Sequence, residues 1–173
     1  MSVVYPSPLA NAAQIWAYNR PSYQKNEFSP LNQSVAAANT IYSTGIGISL
    51  TSVTGYIYLR ALLGSYQSGS ASYTIYIYRS TIGIPAAGSQ PNASDVQVAS
   101  FSGTATGASA ADNEIMDAID TVSQGIIVYY YIAVTSNTSG ITVTIISRST
   151  SISPPNTGIM GAVNTPMLEA ICV

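Results

Sequence analysis

From Thr40 onward, apolar and polar residues alternate with a period of two. Ile46, Ile48 and Leu50 mark one face of a first strand. Ile57, Leu59 and Ala61 stand opposite Tyr56 and Tyr58 in a second, and Ile75 and Ile77 stand opposite Thr74, Tyr76 and Tyr78 in a third. Successive side chains of a strand point to opposite faces, so each run predicts a strand with one buried side. Further strands are expected at 96–98, 126–135, 141–147 and near the C-terminus. Turns are expected at 64–69, 85–88 and 137–140, and a loop over 100–111. Seven or eight short strands separated by turns predict an all-β fold, an antiparallel β-sandwich of immunoglobulin-like or, preferably, single jelly-roll type.

Two segments depart from this rhythm. Residues 1–39 carry Pro6, Pro8, Pro21 and Pro30 in an Asn/Gln/Ala background without sustained alternation, and read as an N-terminal arm before a sandwich domain at 40–173. Within the arm, Ser7 suits an N-cap and Pro8 a first helical position. Leu9, Ala12, Ala13 and Trp16 follow at helical spacing, predicting a short helix to about Tyr18. Trp16, Tyr18, Tyr23 and Phe28 are the expected anchors of this arm on neighbouring subunits. The second departure is 109–122, where Ile115, Ala118, Ile119 and Val122 recur at three and four. That spacing predicts one amphipathic helix of about three turns, started by Ser109 or Asp112 and ended before Gly125.

Four of the seven acids lie in that segment: Asp112, Glu114, Asp117 and Asp120. They are the nearest approach to a metal site, since a calcium ion takes several carboxylate oxygens, but the spacing lacks a loop that folds them around one point. Asp117 and Asp120 could also be imagined as a glycosidase pair, which requires two carboxyls across a sugar cleft. On a helix the acids are better explained as a solvated face near its positive end. No metal and no cofactor are expected.

Other catalytic arrangements lack their parts. The chain has no histidine, so no Ser-His or Cys-His pair can form. A Ser-Lys dyad would need Lys25, the only lysine, which sits in the arm. Gly45-Ile-Gly47 lacks the third glycine of a phosphate loop. Cys172 stands alone and reads as a small apolar residue of a terminal strand. The chain is therefore not expected to be an enzyme or to take a small-molecule substrate.

Composition changes the picture most. Only 7% of the 173 residues are charged, five Lys+Arg and seven Asp+Glu, against about 25% in an ordinary soluble domain. So few cations argue against nucleic-acid binding. Thirteen tyrosines against two phenylalanines suggest ring faces at half-buried or subunit-facing positions, with sugar stacking as the alternative use. Sequons at Asn32, Asn92 and Asn137 are no more than so Ser/Thr-rich a chain yields by chance. Hydroxyls and amides keep their hydrogen bonding where carboxylates protonate, and low net charge favours close assembly. These features predict an exposed, assembled, acid-tolerant protein. Residues 1–8 have no signal-peptide pattern, and no apolar run is long enough for a membrane helix. A chain made inside the cell and displayed outside as part of a particle satisfies both sets of expectations.

With an arm carrying Trp16, a Tyr/Thr/Ile-rich sandwich from about Thr40 and one short helix near 110–122, the chain resembles the small single jelly-roll major capsid proteins of tailless icosahedral viruses of thermophilic and acidophilic archaea. The resemblance implies a vertical jelly roll repeated in capsomers, a homo-oligomer paired with other capsid proteins over a possible internal membrane, and a virion location. It assigns no functional residue. Two other uses of such a sandwich are a pilus or filament subunit assembled by strand donation and a carbohydrate-binding module. The prolines of the arm weigh against a donated strand, which must offer its N–H groups continuously.

Overall fold

The computed structural model describes residues 23–27, 31–67, 70–105, 110–146 and 167–172. Among them the regular structure is entirely β: β1 (Tyr23–Glu27), β2 (Leu31–Val35), β3 (Tyr42–Thr51), β4 (Tyr56–Gln67), β5 (Ala71–Ser80), β6 (Val96–Ala105), β7 (Ala110–Thr121), β8 (Ile127–Ser136), β9 (Ile141–Ile146) and β10 (Met167–Cys172). No helix among the described residues is long and apolar enough to cross a membrane.

The strands form two antiparallel sheets. One has six strands, ordered β1-β10-β4-β9-β2 with β7 on the other side of β4; the second has four, ordered β3-β8-β5-β6. The pairings are nested: β5 with β6, β4 with β7, β3 with β8, β2 with β9 and β1 with β10. The chain is thus one long antiparallel hairpin, folded so that the four inner pairs fall alternately into the two sheets and the outermost, β1 with β10, joins β2 and β9 in the six-stranded one. β10 and β9 share the same flank of β4, β10 along residues 57–62 and β9 along 64–67.

The inner faces of both sheets meet in one core. Ile57, Leu59 and Ala61 of β4 and Leu168, Ala170 and Cys172 of β10 pack against Ile75 and Ile77 of β5 and Val128, Tyr130, Ile132 and Val134 of β8. The expected alternation in β4 and β5 is therefore the core pattern itself, and the antiparallel β-sandwich is observed. Cys172 is free and buried in this core. β6 carries Gly103 opposite Tyr73, where any Cβ would collide with the phenol ring.

Three expectations are corrected. Residues 110–121 form no helix; β7 pairs with β4 through eleven register positions from Tyr56↔Thr121 to Tyr66↔Ala110. Its apolar residues fit a helical period because both sheet faces carry one: Ala118 packs on the core while Ile119 is exposed. Ladder formation along the longest strand of the sheet outweighs the low strand preference of Asp, Glu and Ala. The loop expected over 100–111 is shorter, since β6 runs to Ala105 and β7 begins at Ala110. The strand number is ten among the described residues, above the seven or eight expected, because β7 replaces the helix and residues 23–27 and 31–35 of the Pro-rich segment add β1 and β2 to the first sheet. The helix expected at 7–18 lies outside the described residues.

Candidate functional site

The acids are distributed, and Asp95, Asp117 and Asp120 each have their own partners. Asp117 and Asp120, three residues apart on a strand, point to opposite faces of the first sheet. On the outer face, Arg60 donates from Nε to Asp117 Oδ1 (2.6 Å) and from Nη2 to Oδ2 (3.0 Å), and the Tyr58 hydroxyl donates to Oδ1 (3.0 Å). Arg60 also lies over the Tyr58 ring, 5.4 Å from its centroid. The paired guanidinium, aided by Tyr58, holds the Asp117 carboxyl below its ordinary value against a smaller opposing effect of burial. Burial and the hydrogen bond to Asp117 raise the Tyr58 phenol.

Asp120 faces inward at one end of the sandwich. Arg79 Nη1 donates to both of its oxygens (2.8 and 2.9 Å) and to the Thr121 carbonyl (3.1 Å), while the Tyr130 hydroxyl donates to Oδ2 (2.9 Å). Burial first, and then the Asp120 charge, push the Tyr130 phenol far above its usual value. Asp112 and Glu114 occupy β7 positions opposite Ser65 and Leu63, and their side chains lie outside the described set. No group of three His, Cys, Asp or Glu side chains comes together among the described residues. Asp117 and Asp120 are divided by the sheet, and each is engaged with its own arginine.

One arrangement was invisible to sequence reasoning. Backbone register places Lys25 opposite Glu169, Glu169 opposite Arg60, and Arg60 opposite Asp117, an alternating row of charge positions across β1, β10, β4 and β7. Glu169 is only 1% exposed, and its Oε1 has no hydrogen-bond partner among the described residues. Opposite charges at directly facing positions favour this register over a slipped one.

A second polar centre sits on the outside of the four-stranded sheet. The loop 81–95 folds back over it: Ser43 N–H donates to the Ser89 carbonyl (2.7 Å), Gly88 N–H to the Ser43 carbonyl (2.8 Å), and Ser43 Oγ to the Pro85 carbonyl (2.9 Å). Beneath it Tyr78, Tyr131 and Ala133 form a small outer core with Ile41, Tyr76 and Ile84. Tyr78 stacks on Tyr131 at 5.7 Å with an interplanar angle of 18°. Asp95, at the end of the loop, accepts on Oδ2 from the Tyr131 hydroxyl (2.8 Å), Asn92 N–H (2.9 Å) and Asn92 Nδ2 (3.2 Å). Burial, with the bond to Asp95, raises the Tyr131 phenol strongly. Between this loop and residues 39–41 opens a cavity of about 430 Å³ lined by Tyr78, Asn92 and Asp95, among others.

Of the expected arm anchors, Tyr23 takes a β1 position opposite Ile171, whereas Trp16, Tyr18 and Phe28 lie outside the described residues. The tyrosines divide into fully buried (Tyr73, Tyr130, Tyr131) and exposed (Tyr56, 55%) positions, with Tyr58 and Tyr76 between. The sequon asparagines have structural partners: Asn32 Oδ1 accepts from Thr144, Asn137 Oδ1 from Ser72 N–H, and Asn92 donates to Asp95.

No family model matches the chain. No curated protein matches it. Among solved structures it is similar to the infectious bursal disease virus VP2 subviral particle, with 13% identity, a TM-score of 0.39, and coverage of 88% of this chain and 38% of that one. It is also similar to a structure of the Gx strain of that virus, with 10% identity, a TM-score of 0.34, and coverage of 88% and 36%. The chain therefore spans well under half the length of either.

Proposed function

We propose that this chain is a structural subunit of a virion shell, built on a single jelly roll and assembled with copies of itself and with other capsid proteins. The observation that carries the reading is the nested pairing. Nested pairs whose four inner layers alternate between two sheets favour a jelly-roll reading of the sandwich, and they arise in a chain with almost no charge to keep copies apart.

The exposed apolar side chains support the same reading. Tyr56, Ile82, Val96, Ile119 and Ile127 stand out of the described surface, and such residues gain by burial against a neighbour. The acid-tolerant, archaeal form of the proposal, with an internal membrane beneath the shell, rests on the resemblance and on the hydroxyl-rich composition. Electron microscopy of the native assembly tests it. Closed shells are the expected result; open fibres, or a chain that stays monomeric by light scattering at high concentration, would overturn it.

A further inference from the structure

We infer that the outer face of β4 and β7 is a two-fold contact between copies of this chain, an inference that rests on the reading of the chain as one that assembles with itself. Three successive register rows set the pattern: Tyr56 opposite Thr121, Tyr58 opposite Ile119, and Arg60 opposite Asp117. Side chains two apart on a strand share a face, and Ile57, Leu59 and Ala61 take the core face of β4, so all six stand on the outside. The water-facing side of an antiparallel sheet ordinarily carries polar residues. Here Ile119 is 68% exposed, and Tyr56, diagonally across the ladder, is exposed as well. Exposed aliphatic and aromatic side chains beside an arginine have the composition of an interface.

The charges say what covers this face. A second copy turned by 180° about an axis parallel to the strands, and lying between β4 and β7, keeps every row in register and exchanges the two strands. Arg60 then faces Asp117 of the second copy, Asp117 faces its Arg60, and Tyr58 meets Ile119 in both directions. Such reciprocity is what a two-fold contact requires. An axis running across the strands would instead set Arg60 on Arg60 and Asp117 on Asp117, and a slip of one row would press the charges onto Tyr58 and Ile119. Both alternatives are costly. With one cation and one anion the patch has no net charge, so neither a basic nor an acidic partner is favoured over a copy.

The ion pair has bonding capacity left for this contact. Within one copy Arg60 reaches Asp117 through Nε and Nη2, so that Nη1 donates to none of the described residues, and Asp117 Oδ2 accepts only from Arg60 among them. Across the axis, two guanidinium and two carboxylate groups close a square in which each charge has opposite charges on both sides. Glu169 continues the row onto β10 but is already enclosed. The open face therefore belongs to β4 and β7, which places the axis between them.

Charge reversal on the full chain separates this contact from the pairing within one copy. Arg60→Asp and Asp117→Arg each break the internal pair, which is exposed enough to cost folding little, and each sets like charges across the axis. Sedimentation over a concentration series should show association of either variant alone weakened by about tenfold or more. An equimolar mixture should regain it, because each variant supplies the charge that the other lacks. Ile119→Ser should weaken association by about tenfold or more through lost apolar burial, with an unchanged melting temperature. No recovery in the mixture, or wild-type association of Ile119→Ser, would overturn the contact. Closed shells formed by wild type and by all three variants alike would overturn it while leaving the shell reading intact, whereas a wild-type chain that stays monomeric would overturn both.

Discussion

Arg79 of β5 and Asp120 of β7 join the two sheets at one end of the sandwich, with Nη1 2.8 Å from one carboxylate oxygen and 2.9 Å from the other. Both side chains are largely enclosed, at 18% and 11% exposure, and Tyr130 adds a third hydrogen bond from β8. Removing one partner of such a pair leaves a poorly solvated charge behind. Asp120→Ala should therefore cost about 2–4 kcal/mol of unfolding free energy, and Tyr130→Phe about 1 kcal/mol. Denaturant unfolding would check both. A cost for Asp120→Ala near the roughly 0.5 kcal/mol of an ordinary surface change would show that the pair does not hold the sheets together.

The Arg60–Asp117 pair is more open, with 34% and 43% of the side chains exposed, so solvent screening limits it to about 0.2–1 kcal/mol. Its acid dependence has a definite sign. The Asp117 carboxyl is lowered in the folded chain, so its contribution is complete above the ordinary carboxylate value of about 3.9 and is lost as pH falls through the lowered one. Wild type and Asp117→Asn should therefore differ in melting temperature at pH 6 and converge toward pH 2. A difference that persists unchanged at pH 2 would show that Asp117 acts through something other than its charge.

At the alkaline end the sign reverses. Tyr130 and Tyr131 are raised by burial and by the adjacent Asp120 and Asp95, so the fold disfavours their ionised forms. Their contribution is complete below the ordinary phenol value of about 10 and declines above it, as the unfolded chain gains by ionising. Ultraviolet titration should show Tyr130 and Tyr131 ionising only with unfolding. Tyr131→Phe, which frees Asp95 from the sheet, should also speed amide exchange across 81–95 while leaving the main core protected. Uniform exchange across the loop and core in that variant would contradict the role given to the Tyr131–Asp95 bond.

How much of this was legible in the chain depends on which forces decide each element. β4 and β5 could be read directly because each buries one face: Ile57, Leu59 and Ala61 in one, Ile75 and Ile77 in the other. β7 could not, because Ala118 and Ile119 put apolar groups on both faces and the partner strand, not the local sequence, sets its conformation. The Tyr131–Asp95 bond and the Arg79–Asp120 contact join residues 36 and 41 positions apart across the fold. No spacing rule carries that information. The order of the strands was equally hidden, since alternation says which side of a strand is buried and nothing about its neighbour.

The N-terminal segment gives the sharpest test of assembly, because β1 divides it. Residues 23–27 pair with β10 through five register positions, so they belong to the sheet, whereas Trp16 and Tyr18 precede it in sequence. A truncation beginning at Tyr23 should keep a cooperative melting transition and lose the ability to form particles, if the anchors at 16 and 18 act between subunits. A truncation beginning at Leu31 also removes the strand that covers the β10 edge. An uncovered edge offers a row of unpaired N–H and C=O groups, so this shorter chain should be less stable and prone to disordered aggregation. Gel filtration, melting curves and electron microscopy of the two truncations separate the effects. Normal particles from the chain beginning at Tyr23 would remove the arm from the assembly interface. A chain beginning at Leu31 that melts like full length would show that β1 adds nothing to the sheet.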